Sequence, residues 1–561
     1  MAFSPRARVA VERAENVLLR SLHRALAALL LLAAGTAVWA QQASPQPPRF
    51  DILEYQVAGN TVLPDAQVEQ AVMPFMGPQL SLDQVEAART ALEKAYQGAG
   101  YLTVFVDIPD QRVEDGIVRL QVTEGRVDRL AVTGSRYYAQ GRIRAATPEL
   151  AEGQVPNFNV VQQQVAALSR SETRRVQPVL KPGALPGTVD VELKVSDQLP
   201  FGASVEVNNS HAAGVDPMHV IASAHYDNLF QREHSVSLTL MGTPAEPSQS
   251  KVAVLGYAVP LDGGDSLSAS LVWSNSNVAT LGGTQALGKG TTLGLRWLRS
   301  LEAPWNGWQA LTLGADYKDL QEQTVFGGGS ISMPLRYAPV QLAWNGGYAS
   351  DAWQSQWALT LNYGFAPLLR REVPSCPSAN GGIAPVDQFA CKRSGADGSF
   401  TIVKADLRQT LLAGAWGQLS LRTVGQLANE PLVSAEQFVL GGADTVRGYY
   451  DSSALGDGGL LGSLEWRRDI APLLRHAAGE AASTNLREMT LLAFFDGGRV
   501  YTQKALPGTP GHQTLGSVGL GLRFQTATGL SLSLDLARAF KDLPGQAVPG
   551  SYLHVRLGQR L

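Results

Sequence analysis

The sequence predicts a membrane β-barrel of about sixteen antiparallel strands preceded by two small α+β domains. Three observations point there. Residues 199–561 alternate apolar with small or polar side chains at a period of two, in segments of about ten residues, the length of a tilted membrane strand. Residues 50–198 change style, mixing short strand-like runs with apolar residues at helical spacing. The composition is 45% hydrophobic and only 17% charged, with 57 glycines, yet past the N-terminus no stretch approaches a membrane helix in apolarity.

Residues 1–40 read as a secretory signal. Arginines run through Arg24, an apolar core extends from Ala25 to about Gly35, and small residues at Val38 and Ala40 precede Gln41. That core is about eleven residues long, too short to span a bilayer. The mature chain is expected to start near Gln41, with a short Pro-rich segment over residues 41–49. A net charge of −3 offers no broad basic field, so no nucleic-acid partner is expected.

The two small domains are placed at 50–125 and 126–198. The first reads as a strand (51–57), a turn at Gly59-Asn60, a helix from about Pro64, a second helix from Ser81 to Gln97, then strands 102–108 and 117–123. Ser81 with Asp83 suits an N-terminus, and Leu82, Val85, Ala88, Leu92 and Tyr96 repeat at helical spacing. The second repeats that order: strand 126–132, helical stretches 140–146 and 159–169, and strands 174–180 and 188–195.

Alternating segments then start near Phe201, His219, Glu233, Lys251, Asp265, Thr291, Trp308, Ile331, Ala352, Ser399, Gly417, Gly459, Glu488, Leu515, Leu530 and Tyr552. Their polar face is rich in Gly, Ser, Thr, Asn and Gln, whereas a soluble sandwich favours Lys and Glu there. Trp273, Trp297, Tyr317, Tyr363 and Trp466 fall near segment ends, where bilayer girdles form. An even strand number puts both barrel termini on the side of the small domains, the periplasm. The loops 367–397 and 428–457 are then exterior.

Cys376 and Cys391 flank a Pro/Gly/Ser-rich stretch in the first of those loops and are expected to form a loop disulfide in an oxidising compartment. Asp387 is the only acid between them, so no metal site is expected. No nucleophile, base and orienter can be assembled, which predicts a protein that is not an enzyme and needs no cofactor. His211, His225 and His234 carry no motif and read as rim or loop residues.

The candidate functional residues are Val446, Arg447, Gly448 and Tyr449, in a glycine-rich loop at about 430–458 between the eleventh and twelfth segments. A permanent guanidinium with a fixed fork of donors, beside a glycine, suits a polar cavity where it can meet a carboxylate. On the thirteenth segment Glu488, Thr490, Leu492, Phe494 and Asp496 share a face, assigned inward because an aspartate facing lipid is costly. Glu465 and Asp535 also fall inward, so three acids compete for Arg447.

Together these features resemble the two-partner secretion transporters, outer-membrane proteins that export hemolysins and filamentous adhesins. The tandem small domains resemble POTRA domains, with Gly100-Tyr101 before the first hairpin as a supporting detail. A second family motif is matched by Phe495-Asp496-Gly497-Gly498 on the thirteenth segment. The resemblance implies that the loop folds into the barrel and that Arg447 pairs with Asp496, flanked by Phe495 and Gly498. It also implies a location in the outer membrane of a Gram-negative bacterium with the small domains in the periplasm. The expected partner is a secreted exoprotein with an N-terminal secretion domain, exported unfolded through a monomeric barrel in the lipid bilayer. Two other readings stand beside it: an outer-membrane protein assembly factor of the same superfamily, or a passive porin. The chain departs from the family in two places. Residues 41–50, with three prolines, are not expected to form the pore-plugging helix many members carry, so either the protein lacks a plug or its start and cleavage point lie elsewhere, and Leu561 stands where a terminal aromatic is usual.

Overall fold

The computed structural model describes residues 49–281, 284–326, 329–377, 383–472, 485–505, 510–543, 548 and 550–561. The expected signal peptide, the Pro-rich segment up to residue 48 and the question of a plug helix lie outside the described residues.

In the first small domain, strand Glu54–Ala58 runs parallel to Ile117–Glu124, which pairs on its other side antiparallel to Val104–Asp107. Helices Asp65–Val72 and Leu82–Gly98 cover the sheet. Val85, Ala88, Leu92 and Tyr96 of the second helix are buried, so the helical spacing in the sequence is the face that packs. Burial pushes the Tyr96 hydroxyl up to about 12, and that hydroxyl donates to Asn60 Oδ1 at 2.7 Å. Ser81 occupies the N-cap with extended backbone, but its side chain makes no capping bond. The expected strand 51–57 divides at Leu53, and its first part, Phe50–Ile52, pairs antiparallel with Gly77–Leu80, which adds to the expected elements. The alternation needed to see it is too brief in strands of three and four residues.

The second domain has strand Arg126–Thr133 parallel to Thr188–Asp197, with Arg174–Pro182 completing a three-stranded sheet, and helices Gln140–Ala145 and Phe158–Leu168. Asn157 caps the latter helix by accepting from the Asn159 amide at 3.0 Å. In compact packing, residues 144–170 and 176–194 group with the first domain, and 134–143 and 171–175 with the barrel. Within the barrel unit the buried Arg174 meets Glu233 at 2.5 Å.

The barrel closes with sixteen strands, counting one interrupted strand as one. They are β1 (Phe201–Asn208), β2 (His219–Leu229), β3 (His234–Gly242), β4 (Lys251–Pro260), β5 (Ser266–Leu281), β6 (Thr284–Leu301), β7 (Gly307–Phe326), β8 (Gly329–Tyr337 and Val340–Ala349) and β9 (Trp353–Tyr363). There follow β10 (Thr401–Leu412), β11 (Gln418–Ala428), β12 (Gly458–Asp469), β13 (Leu486–Tyr501), β14 (His512–Thr526), β15 (Leu530–Ala539) and β16 (Tyr552–Arg560). Every expected segment overlaps one of these. β8 breaks at Ala338-Pro339 because proline has no N–H for the ladder, and the Pro339 carbonyl instead accepts from the Asp316 amide at 3.0 Å.

The alternation sorts the two faces. Leu293, Leu295, Leu313, Trp273, Tyr317, Tyr363 and Trp466 are exposed on the outer wall. The inner wall carries cross-strand ion pairs: Arg296–Asp316 at 2.8 Å, Arg422–Asp406 at 2.8 Å and Arg523–Asp535 at 2.7 Å. Closure between β16 and β1 is registered over five residue pairs, from Arg556↔Asn208 to Arg560↔Ser204.

Candidate functional site: the loop inside the barrel

The loop from β11 to β12 contains a small hairpin, Phe438–Leu440 with Ala454–Gly456, whose tip is 441–453. The turn depends on glycine. Gly441 and Gly442 have φ of +107° and +100°, and a Cβ on Gly441 would lie 2.4 Å from the Tyr450 carbonyl oxygen. Thr445 Oγ1 accepts from the Gly441 amide at 2.8 Å and donates to its carbonyl at 2.9 Å, which closes the tip.

The tip presents Val446, Arg447, Gly448 and Tyr449, all buried. Arg447 forms a bidentate pair with Asp496 on β13, Nε to Oδ2 at 2.7 Å and Nη2 to Oδ1 at 2.8 Å, and its backbone amide donates to Oδ2 at 3.2 Å. Its Nη1 meets Glu465 Oε1 on β12 at 2.7 Å. The guanidinium lies 3.4 Å from the centre of the Phe494 ring. Ser463 donates to Asp496 Oδ1 at 2.7 Å, and Glu465 also pairs with Arg467. The Arg447 and Asp496 side chains are 5% and 0% exposed, so each charge depends on the other for its solvation.

The neighbouring residues seat the backbone. The Gly448 amide donates to His554 Nε2 at 3.0 Å, and a Cβ there would press on Ala537 of β15 at 3.2 Å. The Tyr449 hydroxyl donates to the Lys541 carbonyl at 2.9 Å, while Val446 fills an apolar cluster with Leu440, Leu461 and Leu515. Asp451 accepts from Ser210 Oγ at 2.7 Å; burial pushes its carboxyl up, against that hydrogen bond.

The structure brings together Arg447, Asp496 and Glu465. Asp535 lies apart from Arg447 and takes Arg523 instead. Phe495 corrects the motif reading: it is 53% exposed on the outer wall, because the period-two alternation that turns Asp496 inward turns its neighbour outward. The aromatic under the guanidinium is Phe494, two residues from Asp496 and on its face. Gly498 makes room for the hairpin, since a Cβ would come 2.7 Å from Leu440 Cδ1.

Sequence reasoning missed the loop's root. Asp457 is fully buried and accepts from the Leu432 amide at 2.8 Å, the Gln503 amide at 2.6 Å and Arg393 Nη2 at 2.8 Å, so it joins three exterior loops. Glu436 is likewise buried, against Lys318 at 2.5 Å and Tyr337 at 2.7 Å. Asp457 sits among glycines and serines where an acid reads as a turn former, and Glu436 lies in a loop whose sequence carries no periodicity to reveal its burial. His211 is more than a rim residue, since its ring stands edge-on to Tyr450 of the tip at 5.1 Å. Cys376 and Cys391 are joined, with Cα atoms 5.7 Å apart. Among the described residues no three His, Cys, Asp or Glu are grouped to hold a metal.

The family model described as POTRA domain, ShlB-type, matches residues 50–125, and the one described as haemolysin secretion/activation protein ShlB/FhaC/HecB matches residues 187–524. The outer membrane transporter CdiB of Escherichia coli is 27% identical over 168 residues, which cover 30% of this chain and 28% of that protein. CdiB of Dickeya dadantii is 24% identical, covering 33% and 32%. The matched stretch thus spans about three-tenths of the length of these curated relatives. The solved structure of CdiB from Escherichia coli has the same fold, with a TM-score of 0.61 at 18% identity over 100% of both chains. CdiB from Acinetobacter baumannii gives 0.56 at 15% over 98% of both, and BamA from Haemophilus ducreyi, lacking POTRA domains 1–3, gives 0.53 at 16% over 91% and 100%. With a family match across more than half its length, this outer-membrane barrel with a periplasmic POTRA domain belongs to the haemolysin secretion/activation protein family ShlB/FhaC/HecB.

Proposed function

We propose that the protein is a monomeric translocator that binds an unfolded exoprotein in the periplasm and passes it through its barrel to the cell surface, without catalysis or cofactor. Residues 50–125 and 126–198 act as two periplasmic POTRA domains. Their three-stranded sheets leave edges such as Val104–Asp107, and the exoprotein's N-terminal secretion domain adds to such an edge as an extra strand. Backbone hydrogen bonds then give affinity with little demand on sequence.

The observation that carries this reading is the buried Arg447–Asp496 pair, which holds a loop of about residues 430–458 inside the lumen. Salt-paired charges tolerate one geometry well and intermediate ones poorly, so the loop acts as a latch with a seated and a released position. The test compares wild type with Arg447→Ala for release of the exoprotein encoded by a neighbouring gene, with heat-shifted gel migration to verify the barrel. Loss of export from an intact barrel is the expected result, and export at the wild-type level refutes the latch. Depletion of the protein separates the other readings: a general fall in outer-membrane proteins indicates an assembly factor, and exoprotein-independent conductance with unchanged secretion indicates a porin.

A further inference from the structure

On the outer wall, the periplasmic ends of β7 to β10 frame a groove of about 690 Å³. Strand parity makes it face the bilayer. Leu342 and Trp344 on β8, Leu359 and Leu361 on β9, and Val403 and Leu407 on β10 are among the exposed outward residues of these strands. Three indoles shape the groove. Trp357 lies over Gly346, where a Cβ would come within 2.3 Å of its ring, and its ring centre is 6.0 Å from that of Trp305 and 5.6 Å from that of Trp344. Only a glycine lets that ring sink to the level of the sheet, which gives the groove its depth.

Polar side chains on a lipid-facing wall are costly unless paired. Ser355 and Gln409 stand directly opposite each other there, on the same outward faces as Leu359 and Leu407. Trp353 Nε1 donates to Ser355 Oγ at 2.8 Å, and Ser355 Oγ donates to Gln409 Oε1. That chain uses Gln409's acceptor and leaves its Nε2 without a partner among the described residues. The groove therefore offers an aromatic floor and one spare donor, at the end of the barrel where the β8–β9 turn meets the interface. A ligand with an alkyl chain and accepting oxygens fits this, and the surrounding solvent is made of such molecules.

The geometry points to a specific site for a glycerophospholipid of the periplasmic leaflet. Its acyl chain lies along Trp344, Trp357 and Leu407, and an ester or phosphate oxygen accepts from Gln409 Nε2. Tryptophans here do more than mark the interface: they hold one lipid against the wall.

The test uses the full mature protein in detergent, titrated with palmitoyl-oleoyl phosphatidylethanolamine and read by native mass spectrometry. One saturable adduct is expected. Gln409→Leu should weaken it roughly tenfold, the worth of one hydrogen bond to a charged acceptor. Trp344→Ala with Trp357→Ala should abolish it, and Trp273→Ala, an outward indole elsewhere, should leave it unchanged. If the double variant fails to assemble, as judged by heat-shifted migration, the single Gln409 substitution still decides. Non-saturable binding, an unchanged affinity in Gln409→Leu, or equal displacement by dodecyl maltoside overturns the site. A doubled protein mass that displaces lipid assigns the groove to a second copy of the chain and also overturns it.

Discussion

Arg447 is held by three contacts, and removing each has a different expected cost. Asp496→Ala leaves a buried cation facing only Glu465, and should unseat the loop by about 3–5 kcal/mol. Glu465→Ala costs less, because the bidentate partner remains. Phe494→Leu removes only the ring face, about 1–2 kcal/mol. Hydrogen exchange of residues 441–453 measures all three, and equal protection across the series would remove Arg447 from any role in seating the loop. The charged pair was legible because parity places acids on an inward face. Phe494 was legible on the same ground, since it shares the inward face with Asp496 while Phe495 of the motif takes the other. Asp457 was not legible, since a loop acid looks the same in sequence whether it caps a turn or joins three loops.

Among the elements, the exterior loops depend on Asp457. Asp457→Asn weakens its contact with Arg393 and should make the β9–β10 and β13–β14 loops more sensitive to protease on intact cells, with barrel migration unchanged. On the other side, Asp197 predicts a pH dependence. Burial alone would raise its carboxyl, but the amides of Tyr137, Arg136 and Tyr138, with Ser135, hold it below the ordinary carboxylate range. A lowered folded pKa gives stability that is complete above the unfolded value and lost as pH falls through the folded one. The turn at 135–138 should thus be protected near neutrality and loosen below about pH 4, whereas Asp197→Asn should be equally loose at both. Amide protection factors check this. The strands themselves were readable from alternation, down to their number. The break in β8 was not, because Pro339 changes the ladder without changing which faces are apolar.

For the whole molecule, the surrounding solvent follows from adjacent residues with opposite fates. Leu313→Arg places a charge in lipid and should cost about 2–4 kcal/mol in urea unfolding, while Thr312→Arg, turned inward on the same strand, should cost little. Equal costs would argue against a bilayer on that face. Composition and parity sufficed to choose lipid over water and a closed barrel, but the register in which the first strand meets the last was beyond them, since alternation describes strands one at a time. That meeting has its own consequence. β1 and β16 come from opposite ends of the barrel sequence, so joining them carries the largest loop-closure entropy in the fold, offset by five registered residue pairs and the hydrogen bonds of Asn209 to β16. Ring closure is therefore expected to be the last step of assembly and the first undone by heat, an order that strand-resolved hydrogen exchange on warming checks. Until it happens the chain is an open sheet, and its two unpaired edges compete for each other with any strand that drifts past.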